Sequence, residues 1–123
     1  MVKHNRLQQV AMLADITDPG AREFEIGTGD SRISGFVVRK NDQAFAYLNT
    51  CPHAGKQLNW GPDRFLTRDN GLIMCAGHGA VFEIESGLCV AGACLGASLT
   101  SLDVEISDGR VLVEMPAPAS SET

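Results

Sequence analysis

Several short stretches of the chain predict β-strands, either because hydrophobic and polar residues alternate, as in 22–26, or because they are rich in β-branched residues, as in 34–40. The stretches are 22–26, 34–40, 43–49, 71–75, 79–84, 98–106 and 110–115. Asp108-Gly109, between the last two stretches, is typical of a two-residue hairpin turn. Residues 7–19 predict either one helical turn or a short strand, ending at the turn Asp18-Pro19-Gly20. The sequence therefore predicts an all-β fold, built as an antiparallel sandwich or small barrel.

The length and charge of the chain limit the range of functions it can have. Its 123 residues fit a single domain, which we place at residues 1–115 and follow with a disordered, Pro/Ser-rich tail at 116–123. The 10 Lys and Arg residues against 15 Asp and Glu give a net charge of -5, which argues against nucleic acid or an anionic membrane as a partner. Neither a membrane-length apolar segment nor a secretory signal is evident, so we expect a cytoplasmic protein.

Two of the 4 Cys and two of the 3 His residues of the chain lie in two short clusters, Cys51-x-His53 and Cys75-x-x-His78. Thiolate and imidazole groups bind both zinc and iron–sulfur centres. Structural zinc fingers usually pair Cys with Cys and His with His, whereas here each cluster supplies one residue of each type. Two Cys on one iron and two His on the other form the ligand set of a Rieske 2Fe–2S centre. The spacing favours that centre, with a zinc-stabilised interaction module as the alternative.

The sequence around both clusters resembles the Rieske-type ferredoxins, from about Phe36 to Val113. The similar segments are CPHAG (51–55), CAGHG (75–79), the AVF that follows, and GLCVAGACLG (87–96). The resemblance implies a Rieske iron–sulfur fold, in which a two-loop cluster-binding subdomain at about 50–95 is inserted into the β base.

The resemblance also implies the site residues and one 2Fe–2S cluster per chain. The expected ligands are Cys51 and Cys75 on the inner iron, and His53 and His78 on the outer iron. The other residues expected to line the cluster are Ala54, Gly55, Gly77 and Gly79. The glycines permit tight turns that direct backbone N–H groups at the sulfurs.

The chain departs from the high-potential respiratory members of the family. Those proteins resemble C-x-x-H-G-S-x-Y at the second cluster, where Ser and Tyr hydroxyls donate hydrogen bonds, but this chain has Ala80 and Phe82. They also join their loops by a disulfide, at positions that are Lys56 and Gly77 here. Because these hydroxyls are absent, we predict a potential near the low end of the Rieske range of roughly −150 to +300 mV.

A third loop covers the cluster in the family, and the two other cysteines lie there. We interpret Cys89 and Cys94 as small buried hydrophobic residues, with a local disulfide as the alternative. The Gly-Pro pair usual in this loop is Gly92-Ala93 here. The proline is therefore missing.

The remaining sequence offers no catalytic machinery. Neither the ligands of a mononuclear iron nor a dinucleotide-binding glycine motif is evident, so we predict no catalytic residue and no activity of the chain alone. The resemblance implies a one-electron carrier with a reductase as donor and an oxygenase as acceptor, often one for aromatic compounds. An accessory redox subunit of a reductase, such as nitrite reductase, is the alternative. We expect no nucleic-acid or membrane partner.

Overall fold

The computed structural model describes residues 7–27, 32–50, 58–59, 61, 63–67, 71–75, 79–92 and 94–114. These residues form ten β-strands and one short 3-10 helix, Leu13–Asp15, and none of them lies in an α-helix. The strands are β1 (Leu7–Met12), β2 (Gly20–Ile26), β3 (Ile33–Lys40), β4 (Gln43–Leu48), β5 (Leu72–Met74), β6 (Val81–Glu83), β7 (Cys89–Ala91), β8 (Ser101–Leu102), β9 (Val104–Ser107) and β10 (Arg110–Glu114). Within the described ranges, no helix has the length and hydrophobicity that crossing a membrane requires.

The strands form three sheets, and every strand pairing in them is antiparallel. The first sheet has the order β1-β10-β9, the central sheet β2-β3-β4-β8 and the third sheet β5-β6-β7. Each hydrogen-bonded pair runs in opposite directions. The predicted all-β, antiparallel fold class is confirmed.

The first sheet contains the hairpin that the sequence predicts. Asp108 and Gly109 have φ angles of 53° and 76°, so both central residues of the turn are left-handed, as a type I′ turn requires. The start of the chain combines both of its predicted alternatives. Residues Leu7–Met12 pair with β10 as a strand, with an irregularity between Gln9 and Ala11, and a single 3-10 turn follows.

The central sheet is buried on both faces, because successive side chains of a strand point to opposite sides. Phe36 and Val38 on β3 belong to one hydrophobic core, which also includes Phe82 from the third sheet. Val37 belongs to the other core, together with Val111 from the first sheet. The three sheets are therefore layers around two cores. This also explains why residues 35–38 are all buried instead of alternating.

Two details of the sequence interpretation are wrong. Residues 98–106 do not form one strand, because β8 pairs with β4 of the central sheet while β9 pairs with β10 of the first sheet. The chain changes sheets at Asp103, which lies between them. The short strand β7 was not predicted at all. The limits of the domain and of the 50–95 subdomain stay predictions, and the tail at 116–123 lies outside the described residues.

Candidate metal centre

The second Cys/His cluster begins directly after β5 and leads into β6. The Cys75 N–H donates to the carbonyl of Ala80 at 2.8 Å, and the Gly79 N–H donates to the carbonyl of Cys75 at 2.9 Å. Gly79 has a φ of 68°, a conformation that glycine adopts without steric cost. Two backbone hydrogen bonds therefore close the ends of this loop on each other.

Of the eight predicted site residues, Cys75 and Gly79 are described. Cys51, His53, Ala54, Gly55, Gly77 and His78 lie outside the described residues, so their arrangement stays a prediction. Among the residues that are described, no group of three or more His, Cys, Asp and Glu could hold a metal. What the structure describes are the residues that flank the predicted cluster loops.

Those ends converge on one apolar core. Its members include Leu58, which follows the first cluster, and Cys75 and Ala80, which enclose the second. Cys89 and Cys94 of the third loop belong to the same core. Cys75 is 1% exposed and Leu58 and Ala80 are 0% exposed. All three segments that the sequence assigns to the cluster are therefore anchored in the same place.

The third loop packs directly against the second. Gly92 has a φ of 97°, and a Cβ added to it would lie 2.7 Å from the Cα of Ala80, closer than side chains tolerate. The loop is also tied to itself, since the Cys89 N–H donates to the Ala97 carbonyl and the Ala97 N–H to the Cys94 carbonyl, both at 2.8 Å. The close approach to Ala80 and the two backbone hydrogen bonds therefore hold the third loop in place, although it lacks the usual proline.

The two cysteines of the third loop are buried, as predicted. Cys89 is 2% exposed and Cys94 is 4% exposed, and no disulfide joins them. The thiol of Cys89 donates to the carbonyl of Ala91 at 3.2 Å. The interpretation as small buried residues is confirmed, and the alternative of a local disulfide is wrong for this structure.

Asn49 joins the two ends of the first cluster segment, a role that the sequence interpretation missed. Its Oδ1 accepts a hydrogen bond from the Leu58 N–H at 2.8 Å, and its own N–H donates to the Ser34 carbonyl at 2.9 Å. The only signal available beforehand was a polar residue at the end of an apolar strand, two positions before Cys51. Such a residue is also common at any strand end.

Two titratable groups at the junction of the central and third sheets have shifted pKa values. The hydroxyl of Tyr47 donates to the Ile84 carbonyl at 2.6 Å. Burial, with a smaller contribution from the negative charge of Glu85, raises the pKa of Tyr47 to about 12. The ammonium of Lys40 lies 2.7 Å from the Glu85 carboxylate, and chiefly this hydrogen bond lowers the pKa of Glu85. Both contacts fasten the third sheet to the central one.

Comparison with known proteins decides the family. The family model of the Rieske [2Fe-2S] domain matches residues 8–106. This chain belongs to the Rieske [2Fe-2S] domain family. The match covers most of the described residues and includes both Cys/His clusters, so the predicted Rieske fold is confirmed.

Individual ferredoxins are similar to this chain over most of its length. Ferredoxin CarAc of Metapseudomonas resinovorans is 32% identical over 77 residues, which cover 63% of this chain and 66% of that protein, slightly less than two thirds of its length. The ferredoxin of carbazole 1,9a-dioxygenase from Nocardioides aromaticivorans IC177 has a TM-score of 0.72 at 24% identity, over 89% of this chain and 98% of that one. A chain in a complex of reduced oxygenase and oxidized ferredoxin in carbazole 1,9a-dioxygenase has the same TM-score and identity, over 92% and 96%. At such identities, the two structures establish the shared fold.

Family membership makes the cofactor a Rieske-type 2Fe–2S cluster rather than zinc. The surroundings of Cys75 fit this group. A thiolate in an apolar core is costly unless a positive charge compensates it, and a metal ion deprotonates a coordinating thiol outright. Cys75, 1% exposed at the start of a closed loop, is therefore a suitable ligand position.

Proposed function

We propose that this chain is the ferredoxin of an oxygenase system. It accepts one electron from a reductase and passes it to an oxygenase of the type that acts on aromatic compounds. The match of residues 8–106 to the Rieske domain carries the proposal, because both Cys/His clusters lie in that range. The similarity to Ferredoxin CarAc supports the carrier role, and the complex of an oxygenase with a ferredoxin of this fold supports the type of acceptor. We place the protein in the cytoplasm.

The proposed ligands are Cys51, His53, Cys75 and His78. When bound, the cluster supplies a site that takes up and releases one electron. The protein supplies a buried thiol at Cys75 and a second loop whose ends are closed by two backbone hydrogen bonds. The residues proposed to line the cluster with their backbone are Ala54, Gly55, Gly77 and Gly79. No residue is assigned a catalytic role.

The composition of the second loop supports a low potential. Hydrogen bonds to the cluster sulfurs favour the reduced, more negative state and so raise the potential. Ala80 and Phe82 are both 0% exposed, and neither side chain has a donor. We therefore propose a potential near the low end of the Rieske range, which is roughly −150 to +300 mV.

The carrier role has one competitor of the same chemistry. An accessory redox subunit of a reductase, such as nitrite reductase, would use an identical cluster. The similarity to a protein named as a ferredoxin favours the mobile carrier. A carrier also has to be reduced by one protein and oxidised by another, which gives the two roles different behaviour in a reconstituted system.

Metal content and transfer assays test the proposal. Protein purified in air should contain about two irons per chain and show a Rieske EPR signal after reduction. Zinc without iron would overturn it. The reduced protein should then be reoxidised by the oxygenase component of carbazole 1,9a-dioxygenase and not by a nitrite reductase. Reoxidation by the nitrite reductase alone would instead support the accessory subunit.

A further inference from the structure

Asn49 is a buried residue with an amide side chain, at 3% exposure. Its carboxamide reaches from the end of β4 to the backbone of Leu58, the first described residue after the first cluster. The residues between these two ends are 50–57, and they include Cys51 and His53. The Asn49 side chain is therefore a cross-link at the base of this segment.

The orientation of this amide follows from its partners. The Leu58 N–H can only donate, so the Asn49 atom 2.8 Å from it must be the oxygen. The Asn49 Nδ2 then faces the Asn59 Oδ1 at 3.0 Å and, at 3.4 Å, the Ser34 Oγ. Both ends of the amide are thus used, and neither can be exchanged without placing two donors or two acceptors against each other.

The cross-link is anchored further out on the central sheet. The Nδ2 of Asn59 donates hydrogen bonds to Glu23 Oε1 at 3.3 Å and to the Gly61 carbonyl at 3.2 Å. Glu23 and Asp63 are joined by two bonds, from the Glu23 N–H to Asp63 Oδ1 at 2.8 Å and from the Asp63 N–H to Glu23 Oε1 at 3.3 Å. The chain after the first cluster is therefore held to β2 as well as to the end of β4.

We propose that Asn49 is a positioning residue that ties the end of β4 to Leu58, the two described ends on either side of Cys51 and His53, and thereby slows loss of the 2Fe–2S cluster. The inference rests on the proposed function, because it takes Cys51 and His53 as ligands. When the base of a loop opens, its ends separate and the loop gains conformational entropy. Cys51 and His53 lie between these two ends in the sequence, so opening the base would remove one constraint from both proposed ligands.

Three substitutions distinguish the contribution of the Asn49 amide oxygen from that of its nitrogen. Asn49→Ala removes both functions, whereas Asn49→Asp keeps an oxygen for the Leu58 N–H and loses the donor. Asn59→Ala removes the nearer acceptor of the Asn49 Nδ2, keeps the longer bond to Ser34 Oγ, and leaves the bond to Leu58 intact. Both Asn49→Asp and Asn59→Ala should lower the melting temperature, the first because it buries a charge and the second because it removes a hydrogen bond of a buried amide.

The measurement is the rate at which the oxidised holoprotein loses its visible absorption in excess EDTA, compared with the melting temperature of each variant. We expect Asn49→Ala to lose the cluster about tenfold faster, the factor expected for one lost hydrogen bond to a buried amide. Asn49→Asp and Asn59→Ala should stay within about twofold of the parent, since both keep the bond to Leu58. If Asn49→Ala does not fold, Asn49→Ser serves instead, because its hydroxyl is too short to reach the Leu58 N–H.

Rates that follow the melting temperature in all variants would overturn the positioning role, and so would an unchanged rate in Asn49→Ala. His53→Ala separates this failure from failure of the proposed function. If His53→Ala keeps the Rieske EPR signal, the ligand assignment itself is wrong. If it loses the signal while Asn49→Ala behaves as the parent, only the role of Asn49 is wrong.

Discussion

The central sheet and the third sheet of this Rieske protein are stabilised in different ways. Strands β2 and β3 have 7 and 8 residues and pair along the whole of β2, and the sheet has a hydrophobic core on each face. The strands of the third sheet have 3 residues each. The third sheet shares one of these cores, and its short strands depend in addition on closed turns, on a few long-range hydrogen bonds and on the contact between two loops.

This difference separates stability from cofactor binding. A long ladder spreads its free energy over many equivalent bonds, so one substitution in the central sheet lowers stability without moving a particular group. In the third sheet and its loops, by contrast, a single contact often holds one loop in place. Equivalent substitutions in the two regions should therefore give different losses, and the following pairs test this.

The largest effect should come from the buried cysteines. Cys75→Ala removes a proposed ligand and should abolish the Rieske EPR signal completely. Cys89→Ala makes the same change at a site with similar burial, 2% against 1% exposed, and should keep the signal at a cost of about 1 kcal/mol. Iron content and EPR of both purified proteins give the answer. A signal that survives Cys75→Ala would remove that residue from the ligand set.

The second test concerns the contact between the loops. Gly92→Ala adds a Cβ that would lie 2.7 Å from the Ala80 Cα, whereas Gly96→Ala adds one with nothing within 4 Å, and both residues have similar positive φ angles, 97° and 90°. We expect each to lose about 1 kcal/mol from the φ angle and Gly92→Ala to lose about 1–3 kcal/mol more from overpacking. Thermal unfolding of both variants measures the difference. Equal losses would show that the close approach has no energetic cost.

The third test adds the same hydroxyl to each region. Ala80→Ser places a donor in the second cluster loop, and Ala46→Ser places one in the central sheet, where Ala46 is 2% exposed. Both should lower stability. Only Ala80→Ser should raise the midpoint potential, by about 60 mV if the new bond favours the reduced cluster by roughly 1.4 kcal/mol. Voltammetry of the two proteins decides, and equal potentials would argue against the proposed reason for a low value.

The smallest effect should appear only at high pH. The pKa of Tyr47 is raised to about 12, above the value of about 10 expected in the unfolded chain, so the folded state favours the neutral phenol. The associated stability is complete below about pH 10 and is lost as the pH rises through about 12. Urea unfolding across this range should show a steeper decline for the parent than for Tyr47→Phe. Parallel curves would contradict the raised pKa of Tyr47 and hence the burial of its hydroxyl.

Sequence alone was sufficient where the deciding interaction is local. Asp108-Gly109 specifies its hairpin because both residues accept a positive φ, and the alternation in 22–26 marks a strand with one buried face. The assignment of the cluster residues also rests on spacing within two short motifs, and it stays a prediction. These patterns involve neighbours in the chain and can be recognised without the fold.

Where the structure adds information, the partners are distant or the chain changes direction. Residues 98–106 have a strand-like composition throughout, but only the paired strands show that the chain passes from the central to the first sheet at Asp103. The Gly92 contact with Ala80 brings together two loops with no pattern in common. Asn49 was readable as a polar strand end, and its bond to Leu58 is visible only once β4 and the segment after the cluster are placed together.

The contact between Gly92 and Ala80 also restricts which residues positions 80 and 92 can hold at the same time. Their backbones lie so close that they share one small volume, and a residue with a side chain at 92 would require space that residue 80 already occupies. Any lineage that enlarges residue 80 to gain a hydroxyl must therefore retain glycine at 92. Because a Cβ at 92 would meet the backbone of residue 80 whatever its side chain, no substitution at 80 makes room for one at 92, and an engineer can vary residue 80 only while position 92 stays glycine.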